Sequence, residues 1–119
     1  MSGEENKVEE TIKYEDFEKL DIRIGTIEKA EPLKDSDKLL KLAVSFGEEK
    51  RQIVAGIAEF YSPEELEGKQ CPFLFNLEPK KLRGEESQGM LMAIDPSGDK
   101  KECCLLHPDK KVSDGSKIV

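Results

Sequence analysis

The sequence has little of what most small metal sites and redox sites require. Its 119 residues include three cysteines, one histidine and no tryptophan. Cys71 stands alone, while Cys103 and Cys104 are adjacent, so on a strand their side chains would point to opposite faces and could not both reach one metal together with His107. Neither a disulfide framework nor a metal site is expected, and reduced thiols in the core are the simpler interpretation.

Catalytic motifs are also missing. The sequence contains no G-x-S-x-G, no glycine-rich phosphate loop and no H-E-x-x-H. Asp35-Ser36-Asp37 lacks the twelve-residue ligand pattern of a calcium loop and its glycine, which favours a solvated turn. We therefore expect a chain that is not an enzyme by itself and that uses no cofactor.

No hydrophobic run approaches the roughly 20 residues that a membrane-spanning helix needs. The start, M-S-G-E-E-N, has neither the basic nor the apolar region of a signal peptide. These absences predict a cytoplasmic protein that does not contact a membrane.

An excess of positive charge is absent as well. The net charge is −7, with 38% charged and 36% hydrophobic residues, and the first 20 residues hold seven acids against three lysines. Bulk attraction to nucleic acid is thereby excluded, so any nucleic-acid binding must come from a local cluster with specific geometry.

The length predicts a single domain. Residues 1–12 are polar, acidic and without apolar periodicity, which predicts a disordered tail or a linker, and residues 13–119 form the expected domain. Tyr14, Phe17 and Leu20 recur at helical spacing and predict a short amphipathic helix with an aromatic stripe.

After this helix the apolar period changes to two, and the pattern predicts strands. They are a strand around Ile22 and Ile24 with a bulge or coil at Gly25, then Leu40–Phe46, Gln52–Ala55, Phe73–Leu77 with Pro72 at its start, Met90–Ile94, and a C-terminal strand at Cys103–Leu106. Between the third and fourth strands, Ser62 and Glu65 form a predicted capping box around Pro63, and Gly68 ends the short helix.

This order of elements is typical of one all-β fold. Five short strands with a helix between strands 3 and 4 predict an OB-fold, a five-stranded Greek-key barrel, here with an extra N-terminal helix and C-terminal strands. A β-sandwich would require about seven strands at regular spacing.

The segment from Asn76 to Met90 contains the candidate binding site. Lys80, Lys81 and Arg83 are suited to phosphates. Gly84 and Gly89 permit positive φ and a close approach of a nucleic-acid backbone, and Ser87 and Gln88 offer donors and acceptors for base edges or ribose hydroxyls. The spacing alone is equally compatible with an ordinary hairpin whose lysines are solvated and offset by neighbouring glutamates.

The same segment resembles a known signature. K-L-R-G-E-E-S-Q-G-M, preceded by N-L and Pro79, is similar to the signature of the tRNA-binding domain appended to many methionyl-tRNA synthetases and also found as free-standing tRNA-binding proteins. The resemblance covers nearly the whole chain, through Y-E-D-F-E-K-L-D-I-R-I-G, S-D-K-L-L-K-L, I-V-A-G-I-A, Y-S-P-E-E-L-E-G-K and P-D-K-K-V-S-D-G-S-K-I. Leu33-Lys34-Asp35-Ser36 stands where many relatives carry H-P-x-A-D-K-L, and this variant is more similar to the synthetase-appended branch of the family.

The resemblance implies an OB-fold homodimer that binds the outer corner of tRNA by shape. The residues carried over from the family to this RNA face are Asn76, Lys81, Arg83, Ser87, Gln88 and Met90. Strand alternation adds weaker candidates, namely Arg23, Lys38, Lys41 and Arg51.

A dimer interface is also expected from the residues themselves. The helix with Tyr14, Phe17 and Leu20, and the segment after Lys100, lie outside a five-stranded barrel and leave apolar surface for a second copy to cover. The alternative is that both elements cap the ends of a monomeric barrel.

The resemblance leaves the context of the chain open. We favour a C-terminal domain or beta subunit of methionyl-tRNA synthetase, with a catalytic synthetase domain in cis or in trans. The alternatives are a free-standing tRNA-binding protein and a protein-binding module, because export-chaperone and cytokine-like relatives share this fold.

Overall fold

The computed structural model describes residues 8–119, so most of the predicted acidic tail, residues 1–7, lies outside the described residues. The elements are α1 (Tyr14–Phe17), β1 (Ile22–Pro32), β2 (Leu40–Ser45), β3 (Lys50–Ala55), α2 (Pro63–Leu66), β4 (Gln70–Leu74), β5 (Lys80–Leu82), β6 (Glu85–Ser87), β7 (Met90–Leu91), β8 (Ala93–Ile94) and β9 (Cys104–Leu105). Within residues 8–119, both helices have four residues, and neither is long enough to span a bilayer.

An antiparallel sheet with the strand order β3-β2-β1-β4-β7 curls to form the body of the molecule. The free edge of β3 is covered by the end of β6 and the residue after it. Gln88 N donates to Gln52 O (2.8 Å), Gln52 N donates to Gln88 Oε1 (3.0 Å), and Val54 N donates to Ser87 Oγ (2.9 Å). The predicted OB-type barrel, with a helix between its third and fourth strands, is confirmed.

β1 is long because it serves both halves of the barrel. Ile22 to Thr26 pair with β4, and Thr26 to Pro32 pair with β2, with a register shift between Ile27 and Lys29. The bulge predicted at Gly25 therefore lies at Glu28 instead. Gly25 is regularly paired, and a Cβ there would lie 2.7 Å from side-chain atoms of Phe46 and Val44, so packing explains this glycine.

The core contains the inward-facing residues that alternation predicts in β2, together with residues of the other barrel strands. Fully buried side chains include Ile27, Leu40, Leu42, Val44, Ile53, Leu66, Cys71 and Phe73. Burial raises the pKa of the Cys71 thiol to about 11. The prediction of core thiols is thus correct for Cys71 and wrong for Cys104, which is exposed.

The capping box of α2 forms as predicted. Glu65 N donates to Ser62 Oγ (3.3 Å), and Ser62 N donates to Glu65 Oε1 (2.9 Å), with Pro63 in the first turn. These hydrogen bonds hold the pKa of the Glu65 carboxyl below its usual value. Leu66 is fully buried, so the helix closes one end of the barrel.

Two predicted strands differ in detail. Pro72 lies in the middle of β4 and not at its start, opposite Ile24. Ile24 N donates to Ser116 O (2.8 Å) and Ile24 O accepts from Gly115 N (2.7 Å). The Ile24–Pro72 pair therefore exchanges no hydrogen bonds, and the missing N–H of proline removes none between β1 and β4. The predicted strand Met90–Ile94 is interrupted at Met92, which separates β7, paired with β4, from β8, paired with β9.

Candidate nucleic-acid interface

A shallow groove crosses the outer face of β1, β2 and β3. Its volume is about 290 Å³, and its lining is Lys29, Glu31, Lys41, Leu42, Ala43, Lys50, Arg51 and Gln52. Ala43 lies in register between Lys29 on β1 and Gln52 on β3, so a small side chain forms the floor at this level. This leaves room between flanking lysines for a flat or extended polar ligand.

The hairpin formed by β5 and β6 stands at the edge of this groove. Glu85 connects the two, since its carboxylate lies 3.5 Å from Lys41 Nζ and accepts from Gln52 Nε2 (3.2 Å). At the tip, Arg83 and Gly84 have φ values of 52° and 83°, as in the two-residue turns that match the twist of paired strands. The turn therefore holds the Arg83 side chain at the end of a defined element.

The cations of the hairpin are available to a ligand. Lys80, Lys81 and Arg83 are exposed and form no ion pair within residues 8–119. The same holds for Lys38 at the start of β2. Lys41, in contrast, lies 3.5 Å from both Glu31 and Glu85, so its charge is already compensated.

Ser87 and Gln88 are used to close the barrel. The Ser87 hydroxyl is buried, accepts from Val54 N and donates to Gly89 O, both at 2.9 Å. The Gln88 side-chain oxygen accepts from Gln52 N (3.0 Å). The hydroxyl of Ser87 is therefore occupied by the protein and not free for a ligand in this structure.

Asn76 is likewise occupied by the protein. Its side-chain oxygen accepts from Asp21 N (2.9 Å) and its amide nitrogen donates to Lys19 O (2.8 Å). Asn76 thus fastens the segment after α1 to the end of β4.

The two predicted arginines on the barrel surround one aromatic ring. The guanidinium carbons of Arg23 and Arg51 lie 4.0 and 3.5 Å from the centroid of the Phe75 ring. Arg23 also forms a two-bond pair with Asp21 (2.9 and 2.8 Å), which holds the pKa of that carboxyl below its usual value. Arg51 Nη1 donates to Phe75 O (2.6 Å). Both arginines are therefore held within the scaffold of the site.

The two glycines of the segment differ in surroundings. Nothing lies within 4 Å of a Cβ placed on Gly84, so the turn is open to a close approach. At Gly89, where φ is 138°, a Cβ would lie 2.9 Å from Leu74 O. The close neighbour of Gly89 is thus the protein backbone itself. Met90 follows it on β7 and is exposed.

Lys29 is a groove residue that the sequence did not indicate. Strand alternation counted from the buried Ile27 would place Lys29 in the core. The bulge at Glu28 shifts the phase of β1, so Lys29 lies on the outer face in register with Ala43. Glu28 and Lys29 are consecutive exposed residues between buried Ile27 and Ala30. Two adjacent polar residues inside an alternating strand are the signal that could have located the bulge.

A curled β-barrel that carries such a groove is typical of an OB-type nucleic-acid-binding module. Its cations without an ion pair within residues 8–119 are Lys29 and those of the adjacent hairpin. The family comparison makes the class specific: the family model for the tRNA binding domain matches residues 22–117. The chain belongs to this family.

Individual relatives agree with this assignment. The chain is 51% identical to methionine–tRNA ligase of Archaeoglobus fulgidus over 98% of its own length and 17% of the ligase, and 52% identical to that of Methanothrix thermoacetophila with the same coverage. It spans about one sixth of these ligases.

Two solved structures are close in fold over the full length of each. The MetRS related protein from Pyrococcus horikoshii has a TM-score of 0.87 and 40% identity, with 93% of this chain and 100% of that protein covered. Chaperone CsaA from Bacillus anthracis has a TM-score of 0.82 and 33% identity, with 92% and 100% covered.

Proposed function

We propose that this domain binds folded tRNA across the groove of β1, β2 and β3 and along the β5–β6 hairpin. The observation that carries the proposal is the set of exposed hairpin cations, Lys80, Lys81 and Arg83, which form no ion pair within residues 8–119 of a chain whose net charge is −7. Lys29 and Lys38 extend the same surface. These lysines and Arg83 contact the phosphates of the RNA. Five other candidates stabilise the binding surface through contacts within the protein, namely Arg23, Arg51, Asn76, Ser87 and Gln88.

The role we propose is that of the C-terminal tRNA-binding domain of methionine–tRNA ligase. The identity of about one half over 98% of the chain supports it. The domain contributes binding and no bond-making step, and it raises the tRNA affinity of a catalytic part that lies in cis or in a separate subunit. In this role the domain would act in the cytoplasm, where aminoacylation for protein synthesis takes place.

Recognition by such a surface reads shape and phosphate positions, which all tRNAs share. We therefore expect affinities across a mixed set of tRNAs to vary little. Discrimination of a hundredfold for one isoacceptor would contradict shape reading.

The proposed dimer interface is a groove between α1 and the C-terminal residues, with a volume of about 200 Å³. Its lining is Tyr14, Phe17, Glu18, Leu20, Lys117, Ile118 and Val119. Tyr14 and Leu20 are exposed, and α1 has no buried residue, so α1 caps no barrel core. A second copy covering this groove would remove that apolar surface from water.

The tRNA proposal is tested by removing the hairpin cations. We expect Lys81→Ala with Arg83→Ala to weaken tRNA binding and to reduce the salt slope by about one for each phosphate that is no longer neutralised. The matched control is Lys13→Ala with Lys101→Ala, which removes two charges outside the groove and hairpin. An unchanged affinity and slope in the hairpin variant, measured by filter binding at several salt concentrations, would place the site elsewhere.

A second candidate function is peptide binding by a free-standing chaperone-like module. It is favoured by the likeness to chaperone CsaA and by the exposed apolar side chains of Leu77, Met90, Ile94 and Leu106. Titration with an unfolded, tRNA-free polypeptide distinguishes the two. Saturable peptide binding that tRNA does not compete with would favour this second candidate.

A further inference from the structure

A second cavity lies outside the groove. It measures about 410 Å³ and opens between the chain after α2 and the C-terminal segment, with Thr26, Gly68, Lys69, Gln70, His107, Pro108 and Lys111 as its lining. No residue lines both this cavity and the groove. Its size falls within the range of small-ligand sites.

The lining has a charge opposite to that of the whole molecule. The chain carries 26 acidic residues, yet none of them lines this cavity, whereas Lys69, Lys111 and the only histidine, His107, do. Neither lysine forms an ion pair within the described part of the chain. The cavity therefore presents cationic donors that no carboxylate of the lining compensates.

Hydrogen bonds fix the walls in place. Gln70 Nε2 donates to Val112 O (2.7 Å) and Gln70 Oε1 accepts from Val112 N (3.1 Å), which holds the backbone next to Lys111 against β4. The nearby Asp114 accepts from Thr26 Oγ1 (2.6 Å) and Gln70 Nε2 (3.0 Å), so one of its oxygens is engaged by the wall. A ligand would thus meet a site that is already organised.

The histidine orientation is also determined. His107 Nδ1 lies 2.7 Å from Gln70 O, and because a carbonyl only accepts, Nδ1 carries a hydrogen. This hydrogen bond fixes the imidazole as part of the cavity wall. The two ammonium groups of Lys69 and Lys111 are suited to a phosphate.

We propose that this cavity binds a phosphate group, separately from the groove. The phosphate is either one of the backbone of a bound RNA or that of a free mononucleotide. Lys69 and Lys111 supply the charge, and His107, held by Gln70, forms the wall beside them. The inference goes beyond the proposed tRNA surface, since none of its residues belongs to the groove or the hairpin.

The test is an amide NMR titration with inorganic phosphate and with adenosine monophosphate, at constant ionic strength set with chloride. We expect saturable shifts at Lys69, Gln70, His107 and Lys111. Lys69→Ala with Lys111→Ala should weaken binding at least tenfold, while the control Lys13→Ala with Lys101→Ala should leave it unchanged. Both variants alter exposed side chains, and retained amide dispersion shows that they fold.

The source of the phosphate is decided by measuring tRNA affinity in the same variants. If the RNA backbone occupies the cavity, the cavity variant weakens tRNA binding and tRNA displaces phosphate. If a free nucleotide occupies it, the cavity variant loses phosphate binding by the same factor of at least ten, but its tRNA affinity is unchanged. Shifts that do not saturate, or that are equal in the cavity and control variants, would overturn the phosphate site. The phosphate titration contains no RNA, so its result is independent of the proposed tRNA function.

Discussion

At the scale of single residues, the chemistry of a polar side chain does not tell whether it faces a ligand or the protein. Ser87 and Lys81 lie on the two facing strands of one hairpin, yet the hydroxyl is buried and doubly bonded, whereas the ammonium is exposed. The difference arises because β6 lies against the edge of β3. Substitution of Ser87 should therefore change the stability of the fold, whereas substitution of Lys81 should change the binding of RNA.

Ser87→Ala is expected to destabilise the fold. The substitution leaves the buried Val54 N–H without its partner, which costs about 1–3 kcal/mol of the free energy of unfolding. Urea denaturation measures this decrease. The control is Ser113→Ala at an exposed serine, where a change within about 0.5 kcal/mol is expected. Equal effects of the two variants would show that the hydroxyl of Ser87 contributes nothing special.

Asp21 is expected to link stability to acid pH. Its folded-state pKa is lowered, first by hydrogen bonds from Arg23, so its stabilisation is present above the unfolded pKa near 4 and is lost as pH falls through the folded value. Asp21→Asn should therefore lower the free energy of unfolding at pH 7 and flatten its fall below about pH 4.

The comparison variant is Asp37→Asn, at an exposed loop position. We expect it to leave both the neutral-pH stability and the acid dependence close to those of the parent chain. If Asp21→Asn keeps the parent's acid dependence in urea titrations at several pH values, the pair with Arg23 does not contribute to it.

At the scale of elements, the β5–β6 hairpin combines a structural requirement with a binding one. Arg83 has φ of 52°, a conformation that arginine adopts less readily than asparagine or glycine, directly before Gly84 at φ 83°. A residue better suited to the turn would stabilise the hairpin but remove a cation from its tip. The presence of arginine here is consistent with a use for its charge.

Arg83→Asn is expected to separate the two requirements. It places Asn before Gly, the favoured pair for this turn, so the melting temperature should stay the same or rise, while tRNA affinity falls by several-fold. The comparison variant is Lys81→Asn. It removes the same charge from a strand position and does not change the turn, so it gives no gain in melting temperature. If Arg83→Asn binds tRNA as tightly as the parent chain, the tip of the hairpin does not meet the RNA.

At the scale of the whole molecule, polar and apolar surfaces lie on different parts of the fold. The cations of the groove and hairpin are on the face of β1, β2, β3 and β5–β6, whereas α1 and the C-terminal residues form a second groove in which five of the seven lining residues are apolar. No residue lines both grooves, so an assembly through the second does not use the lining of the first. Two copies would then offer two RNA surfaces in one particle.

The homodimer is tested by light scattering at micromolar concentration. We expect about twice the chain mass of 13.4 kDa, and a mass near 13.4 kDa would refute the dimer. Deleting residues 1–11 should leave the dimer intact, because Met1 and Val8 are the only large apolar residues there. Phe17→Asp should shift the mass toward that of one chain, whereas Glu10→Ala in the tail should not.

Local patterns in the sequence are sufficient to establish the class of fold and the location of the hairpin. Alternating apolar residues in β2, the capping box of α2 and the Arg83-Gly84 pair are local signals, since each depends on neighbours within about six residues. The bulge in β1 was predicted at the wrong residue, Gly25, although the adjacent polar Glu28 and Lys29 mark its place, and the interruption at Met92 has no local signal. Both depend on which strand lies alongside: β2 on one flank of β1, and β9 beside β8.

Long-range contacts determine which of the polar candidates point outward. Four candidates have the residue types of a binding surface but are occupied by the protein: Asn76, Ser87, Arg23 and Arg51. Asn76, Ser87 and Arg51 form hydrogen bonds to residues more than twenty positions away in the chain. Arg23 lies over the ring of Phe75, which follows β4. The cavity proposed to bind phosphate is likewise formed by segments some forty residues apart, around Gln70 and Lys111. Such contacts exist only once the barrel has closed, because closure is what brings those segments within bonding distance.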